Sequence, residues 1–286
     1  MLSDEFVRAA NAASAAHGPI WASKQTTPGS NRAGNGKGAA KPKQRKKPLP
    51  EKVLKSFNTW AFKREQPTNL CLMQPLISDA IARNEPISFV LYWGKGPRCH
   101  LAQPDLACLD FLAALARRVR EAYDHGAAIT LIFTDTHARL NGHSLDSMRE
   151  YFGAIEAVAR ERGFDTVWLG SLTRQSELSG LTVVPADPTS QDVLRSLSAS
   201  AQKWYHGSGT PEHGALKYYE MNMIEKRAVE LAFPRSIFIT FNGSELRSLF
   251  PEHLPIFHMY SLRRGVSVKP WFLPRSQASN DVKRAG

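Results

Sequence analysis

Three polar segments each follow an apolar run directly, and between them they carry the residue types that bind anions and move protons. Gly94-Lys95-Gly96-Pro97-Arg98 follows Ile87 to Trp93. Its two glycines allow close backbone approach, and Lys95 and Arg98 are cations suited to a phosphate or a carboxylate; an ordinary turn at a strand exit is the other reading. Asp135-Thr136-His137-Ala138-Arg139 follows Ala128 to Thr134 and puts a carboxylate, an imidazole and a guanidinium within five residues. Asp135 and His137 could share proton transfer, or Asp135 could hydrogen-bond its own loop beside an exposed His137. Asn242-Gly243-Ser244-Glu245 follows Ser236 to Phe241. Further on, Tyr260 to Trp271 concentrates Arg263, Arg264 and Lys269 among aromatic residues. That segment reads either as a receptor for a phosphorylated small molecule or as a basic surface hairpin, and its aromatic interleaving also suits base stacking over a small footprint.

Other chemistries find less support. The first segment lacks the Gly-x4-Gly-Lys-Ser/Thr spacing of a phosphate-binding Walker loop. His137 and His143 are six apart, which matches neither adjacent helical turns nor a zinc signature, so no metal site is expected. There is no Gly-x-Ser-x-Gly elbow for a serine nucleophile. Cys71, Cys99 and Cys108 form no CxxC pair, which argues against a disulfide framework and for a reducing compartment. His206 to His213 is a Gly-rich loop before a helix, whose free amides could hold an anion or which could serve only as a linker.

These segments need a scaffold, and the surrounding pattern supplies one. Ile87-Ser-Phe-Val-Leu-Tyr-Trp93 is a short apolar run between Pro86 and Gly94, as in a buried strand. Asp105 to Tyr123 is an amphipathic helix, with Leu106, Leu109, Leu112, Leu115, Val119 and Ala122 opposed to Arg117, Arg118, Arg120 and Glu121. A strand at Ala128 to Thr134 follows, then a helix capped by Ser144 and stopped at Gly163, then a strand near Thr166 to Leu169. Helices are expected from about Ser190 to Trp204 and from His213 to Leu231, with strands at Ser236 to Phe241 and, more weakly, at Ile256 to Ser261 and Val266 to Trp271. Alternation of this kind predicts an α/β fold, a Rossmann-like mostly parallel sheet flanked by helices. In such sheets ligands bind beyond the carboxyl ends of the strands, so parallel strands would bring all three polar segments to one rim.

Charge is unevenly spread along the 286 residues. The chain has 37 Lys+Arg against 26 Asp+Glu, a net of +11. Residues 1 to 50 hold nine basic and two acidic residues, and residues 275 to 286 hold three and one, so the body between is nearly balanced. The excess therefore does not make the body a nucleic-acid binder. Residues 1 to 50 are rich in Ala, Gly, Ser, Asn, Pro and Lys and read as a disordered basic arm ending in the cluster Lys41 to Lys47; residues 275 to 286 read as a second disordered tail. Residues 51 to 274 are expected to form the folded domain. No signal-peptide pattern opens the chain and no apolar run approaches the ~20 residues that span a bilayer, so a cytoplasmic protein with no membrane partner is expected.

The order of motifs resembles a known family. Phe89-Val-Leu-Tyr-Trp-Gly-Lys95-Gly-Pro97, then Ala107-Cys-Leu-Asp-Phe-Leu112, then Tyr123-Asp-His-Gly-Ala-Ala-Ile-Thr-Leu131 with Asp135, is similar to the isonitrile (isocyanide) synthases. That family includes tyrosine and tryptophan isonitrile synthases of bacteria and a relative that acts in fungal dityrosine formation. Phe233-Pro-Arg-Ser-Ile-Phe-Ile-Thr-Phe-Asn242 resembles the family's late turn and strand, and Lys269-Pro270-Trp271 its closing motif; the likeness runs over about residues 70 to 272. The chain departs from the pattern at His137, where an arginine stands in the family, and at Asn242 and Phe272, where histidines stand, which marks a divergent member.

The resemblance implies a cofactor-free reaction of specialised metabolism with two small-molecule substrates. The amine of an amino acid condenses with the ketone of ribulose 5-phosphate, and carbon–carbon cleavage leaves a sugar carbon as the isonitrile carbon. Lys95, Arg98, Arg139, Arg263, Arg264 and Lys269 would then be the cations available for phosphate and carboxylate, Asp135 and His137 the proton shuttles, and Asn242 a donor to a developing oxyanion. Two other readings stay open. One is a transfer-RNA-dependent cyclodipeptide-synthase-like enzyme, against which stand the lack of a serine after the first strand and only a faint Tyr219-Glu220 echo. The other is a nucleic-acid-binding protein that uses its basic arm.

Overall fold

The computed structural model describes residues 48–178 and 191–274. The basic cluster at 41 to 47, nearly all of the arm before it and the tail from 275 lie outside the described residues, as does the expected helix start at Ser190. The arm's last two residues are helical: α1 spans Leu49–Phe57, with Pro50 in its first turn, where a missing N–H costs nothing. α2 follows at Leu70–Ala82. Neither helix is signalled by the sequence pattern, since α1 is short and α2 carries Pro75 in its interior.

From there the chain alternates. β1 (Ile87–Trp93) leads to α3 (Gln103–Arg120), β2 (Ala127–Phe133), a six-residue α4 (Asp135–Leu140), α5 (Leu145–Glu161), β3 (Asp165–Trp168) and α6 (Leu169–Leu178). After the undescribed stretch come α7 (Gln191–Trp204), α8 (Pro211–Ala232), β4 (Ile237–Thr240) and β5 (Ile256–His258), with short 3-10 turns at Ser244–Leu249 and Pro270–Phe272. The expected helix ends hold where chemistry fixes them. The Ser144 hydroxyl accepts from Ser147 N at 3.2 Å to start α5, and Gly163, at φ +73°, lets the chain turn away beyond its end.

All five strands are parallel, in the order β3-β2-β1-β4-β5. β1 is central and, apart from Ser88, whose hydroxyl pairs with that of Ser236 at 2.7 Å, it is apolar because it is covered on both sides, as a parallel sheet requires. Phe89, Leu91 and Trp93 face one core, built with Leu109 and Leu112 of α3 and Phe152 and Ile155 of α5. Val90 faces a second, with Phe238 of β4, Leu172 of α6 and Val229 of α8. α7 and α8 pack on each other through Val193, Leu197, Ala215 and Tyr219. Each fully buried Leu or Phe in these layers contributes about 1.5–3 kcal/mol against exposure.

Two expectations change. Residues 135 to 140 are a helix rather than a loop, because Thr134 O accepts from Ala138 N and continues the β2 exit straight into a turn of helix. No strand forms among residues 266 to 271; instead the Ser261 hydroxyl donates to Val268 O at 2.7 Å and folds the segment back on itself through Gly265 at φ +89°. The last parallel strand is correspondingly short. No helix among the described residues is long and apolar enough to cross a membrane.

Candidate active site at the carboxyl rim of the sheet

The strand order reverses between β1 and β4, and this is where an open parallel sheet leaves a crevice at its carboxyl edge. A pocket of about 340 Å³ opens there. Gly94 and Lys95 enter it from β1, Thr134 and His137 from β2 and α4, and Asn242 from β4, so the three polar segments do reach one rim. Lys269 and Trp271 line it from the closing turn. The volume is in the range of small-molecule sites.

The β1 exit is held by packing and charge. A Cβ on Gly96 would lie 1.9 Å from the Trp271 carbonyl oxygen, and one on Gly94 would lie 2.7 Å from the Trp271 indole. The two glycines therefore admit Trp271, whose ring also sits 5.4 Å from that of Trp93. Lys95 is 3% exposed; its ammonium donates to Arg98 O at 2.7 Å and lies over the Tyr151 ring at 5.5 Å. Burial pulls the Lys95 amine below the usual lysine range. Arg98 does not line the pocket. Asp105, fully buried at the first turn of α3, accepts from Arg98 Nη1 at 2.6 Å and Nη2 at 3.1 Å, and also from Ala102 N and the Tyr151 hydroxyl. Arg98 Nη2 reaches on to Pro270 O at 2.8 Å, so this cation ties the loop after β1 to the closing turn.

At the β2 exit the two proposed shuttles part company. Asp135 is buried but points sideways along the sheet edge, where Oδ1 accepts from Gly170 N at 2.8 Å and Oδ2 from Arg139 at 3.2 Å. It fastens the β2 exit to the start of α6 and does not line the pocket. The Arg139 side chain is 61% exposed and lies outside the pocket as well. His137, two residues on, turns the other way and lines it. Its ring stacks on Tyr218 at 5.9 Å, and Nδ1 lies 3.2 Å from Glu225 Oε2. Glu225 also receives the Thr136 hydroxyl, and with Thr136 it lines a second recess of about 260 Å³.

Asn242 is positioned by a buried histidine. His258, fully buried at the end of β5, donates from Nδ1 to the Asn242 carbonyl at 3.0 Å and accepts at Nε2 from the Thr68 hydroxyl at 2.8 Å. Glu65 lies 3.1 Å from the same Nδ1. Of the late cations, Lys269 lines the pocket and burial lowers its amine pKa, while Arg263 and Arg264 are exposed on the turn that precedes it and do not. The apolar wall comes from Tyr92, Phe238 and Phe250, whose rings meet at 5.0 and 5.7 Å. The Tyr92 hydroxyl is buried without a hydrogen-bond partner among the described residues, and burial first, then the charges of Glu225 and Glu230, push its pKa well up.

The arrangement joins a buried and a half-buried amine, an imidazole backed by a carboxylate, and an amide against an aromatic wall. That set can hold a doubly anionic small molecule and move a proton beside it. Among the described residues no three His, Cys, Asp or Glu side chains gather as metal ligands.

No protein-family model and no curated protein matches the sequence. Among solved structures the chain is similar to the PvcA protein from Pseudomonas aeruginosa, with a TM-score of 0.61 and 19% identity over 78% of this chain and 87% of that one. That likeness carries the architecture. Tyrosyl-tRNA synthetases lie further off. The one from Archaeoglobus fulgidus complexed with L-tyrosine gives a TM-score of 0.45 at 14% identity, covering 74% of this chain and 64% of that one. The one from Leishmania major complexed with tyrosinol gives 0.48 at 12%, covering 75% and 32%. These are too loose to add to the argument.

Three residues of the site escape the sequence reading. Tyr218, Asn222 and Glu225 fall at i, i+4 and i+7 of α8, one stripe of the helix, and all three meet His137. The available signal is that stripe itself, polar residues on a face that also carries Ala215 and Ala228 into the core.

Proposed function

We propose that this chain is an isonitrile-synthase-like enzyme that converts the amine of an amino acid to an isonitrile, with ribulose 5-phosphate supplying the carbon. The observation that carries the reading is the convergence of Lys95, His137, Asn242 and Lys269 on one pocket at the carboxyl rim, from the very segments whose sequence resembles that family. The fold shared with the PvcA protein supports the α/β frame on which this reading places the pocket.

On this reading Lys269 and Lys95 hold the phosphate of the sugar and the carboxylate of the amino acid. Lys95 is buried and Lys269 half-buried, and a charge pair withdrawn from water is stronger than one at the surface. Burial lowers the pKa of each amine, and an anion bound beside it opposes that lowering and favours the charged form. The two substrates lie with nitrogen against the ketone carbon. A carbon–nitrogen bond forms and the ketone oxygen leaves as water; the two carbon–carbon bonds at the former ketone then break, one fragment leaving as an aldehyde and the other with the bonding electron pair and a proton, which frees the isonitrile carbon. His137 takes and returns the protons. Asn242 donates to the oxygen while negative charge develops on it. The aromatic wall of Tyr92, Phe238 and Phe250 excludes water from the imine.

Incubating the purified protein with each standard amino acid and ribulose 5-phosphate tests this by mass spectrometry. The product gains one carbon and loses two hydrogens at nitrogen. Lys269→Met should lower kcat/KM by about 10²-fold, the scale of one lost charge-assisted contact of ~3 kcal/mol, with an unchanged melting temperature. No product from any of the standard amino acids would count against the reading.

A further inference from the structure

Glu225 lies in the second half of α8 with 1% exposure, and a carboxylate that deep needs an answering group. The Thr136 hydroxyl donates to its Oε1. Among the described residues its Oε2 has no hydrogen-bond partner, and neither has His137 Nδ1, yet the two atoms lie only 3.2 Å apart.

The other edge of the ring fixes where its hydrogen sits. Asn222 Nδ2 donates to Tyr218 O at 2.7 Å, which identifies that end of the amide as the nitrogen, and the same Nδ2 faces His137 Nε2 at 3.5 Å. A donor facing Nε2 makes Nε2 the acceptor, so the ring hydrogen is on Nδ1, towards Glu225. The Tyr218 ring stacks on the imidazole at an interplanar angle of 16°, and its hydroxyl donates to Asn141 at the end of α4. One stripe of α8 thus holds the imidazole by its face and both its edges.

We propose that Glu225 is a positioning residue that keeps His137 in the Nδ1-protonated tautomer, so that Nε2, exchanging its long 3.5 Å contact with Asn222 for the substrate ammonium, is the proton acceptor for the amine substrate. The inference rests on the amine condensation proposed above. In that step Nε2 takes one proton from the substrate ammonium, and the freed nitrogen lone pair attacks the ketone carbon. A proton then passes from nitrogen to the former ketone oxygen. The imidazolium, whose charge Glu225 balances, returns its proton to the resulting carbinolamine hydroxyl. That group leaves as water while the nitrogen lone pair closes the C=N bond, so His137 ends as it began.

The tautomer can be read without substrate. Long-range ¹H–¹⁵N correlation on protein labelled at histidine nitrogens, with the His137 signal identified by its loss in His137→Asn, should show Nδ1 protonated and Nε2 bare near neutral pH. Glu225→Ala should shift the ring towards the Nε2-protonated form, and Glu225→Leu, which also removes the acceptor but fills the space, serves if the alanine variant folds poorly. In the product assay Glu225→Gln should lower kcat by about 10²-fold while KM changes little, the scale of a general acid–base contribution. An Nε2-protonated wild type, or a tautomer indifferent to both substitutions, would overturn the proposal even if the enzyme makes isonitriles. The expected tautomer switch together with no product would leave the pair standing as a structural device and overturn its assignment to amine chemistry.

Discussion

Arg98 is held by both oxygens of Asp105, so its charge is answered within the protein before any ligand arrives. Removing one member of a buried pair leaves the other uncompensated. Asp105→Ala should therefore cost about 3–5 kcal/mol, read by urea unfolding, far more than an exposed pair such as Arg195 with Asp192. His143 shows what the same crowding of cations does to a titrating group. Burial first, then Lys95 and His206, pushes its imidazole down to about 4 from the usual 6.5. Between those values the unfolded chain binds a proton that the folded chain excludes, so stability rises with pH through that window and is lost on acidification. His143→Gln should flatten this slope in unfolding measurements across the interval; an unchanged slope would place the effect elsewhere.

The elements that carry the site differ in how plainly the sequence announces them. β1 is legible from its ends because a strand covered on both faces must be largely apolar, and Pro86 and Gly94 bound the run. α5 is legible because Ser144 and Gly163 mark its limits by chemistry that acts locally. α4 is not: Asp135 to Leu140 is polar and short, and it is helical because β2 delivers the chain into a turn, with Ala138 its one buried apolar residue. That misreading hides which way each side chain points, and in a helix Asp135 and His137 fall on different sides. The segment at 266 to 271 reads as a strand from Val266 and Val268, but Ser261 claims its carbonyls. The closing turn it leads to presses on the β1 exit, so Gly96→Ala must displace backbone rather than a side-chain tip. We expect a loss of about 1–3 kcal/mol in unfolding free energy together with reduced activity, as for overpacking of a filled site.

At the scale of the whole molecule, topology decides function, and topology depends on contacts remote in sequence. Strand β1 pairs with β2 on one side and with β4, some 150 residues later, on the other, and the pocket sits where that order reverses. The sequence points to the rim through the strand-exit segments, and Lys95, His137, Asn242 and Lys269 stand there together. It cannot show that Asp135, Arg98, Arg139, Arg263 and Arg264 stay outside the pocket, or that Glu225 arrives from α8 to stand behind His137, because these are matters of orientation after folding. The central claim is that this rim joins an amine nitrogen to a sugar ketone carbon. Ribulose 5-phosphate carrying ¹³C at its ketone carbon, supplied with an accepted amino acid, tests it most directly by carbon NMR of the product. The label should appear in the isonitrile carbon bonded to nitrogen. A labelled sugar fragment beside an unlabelled product would contradict the claim.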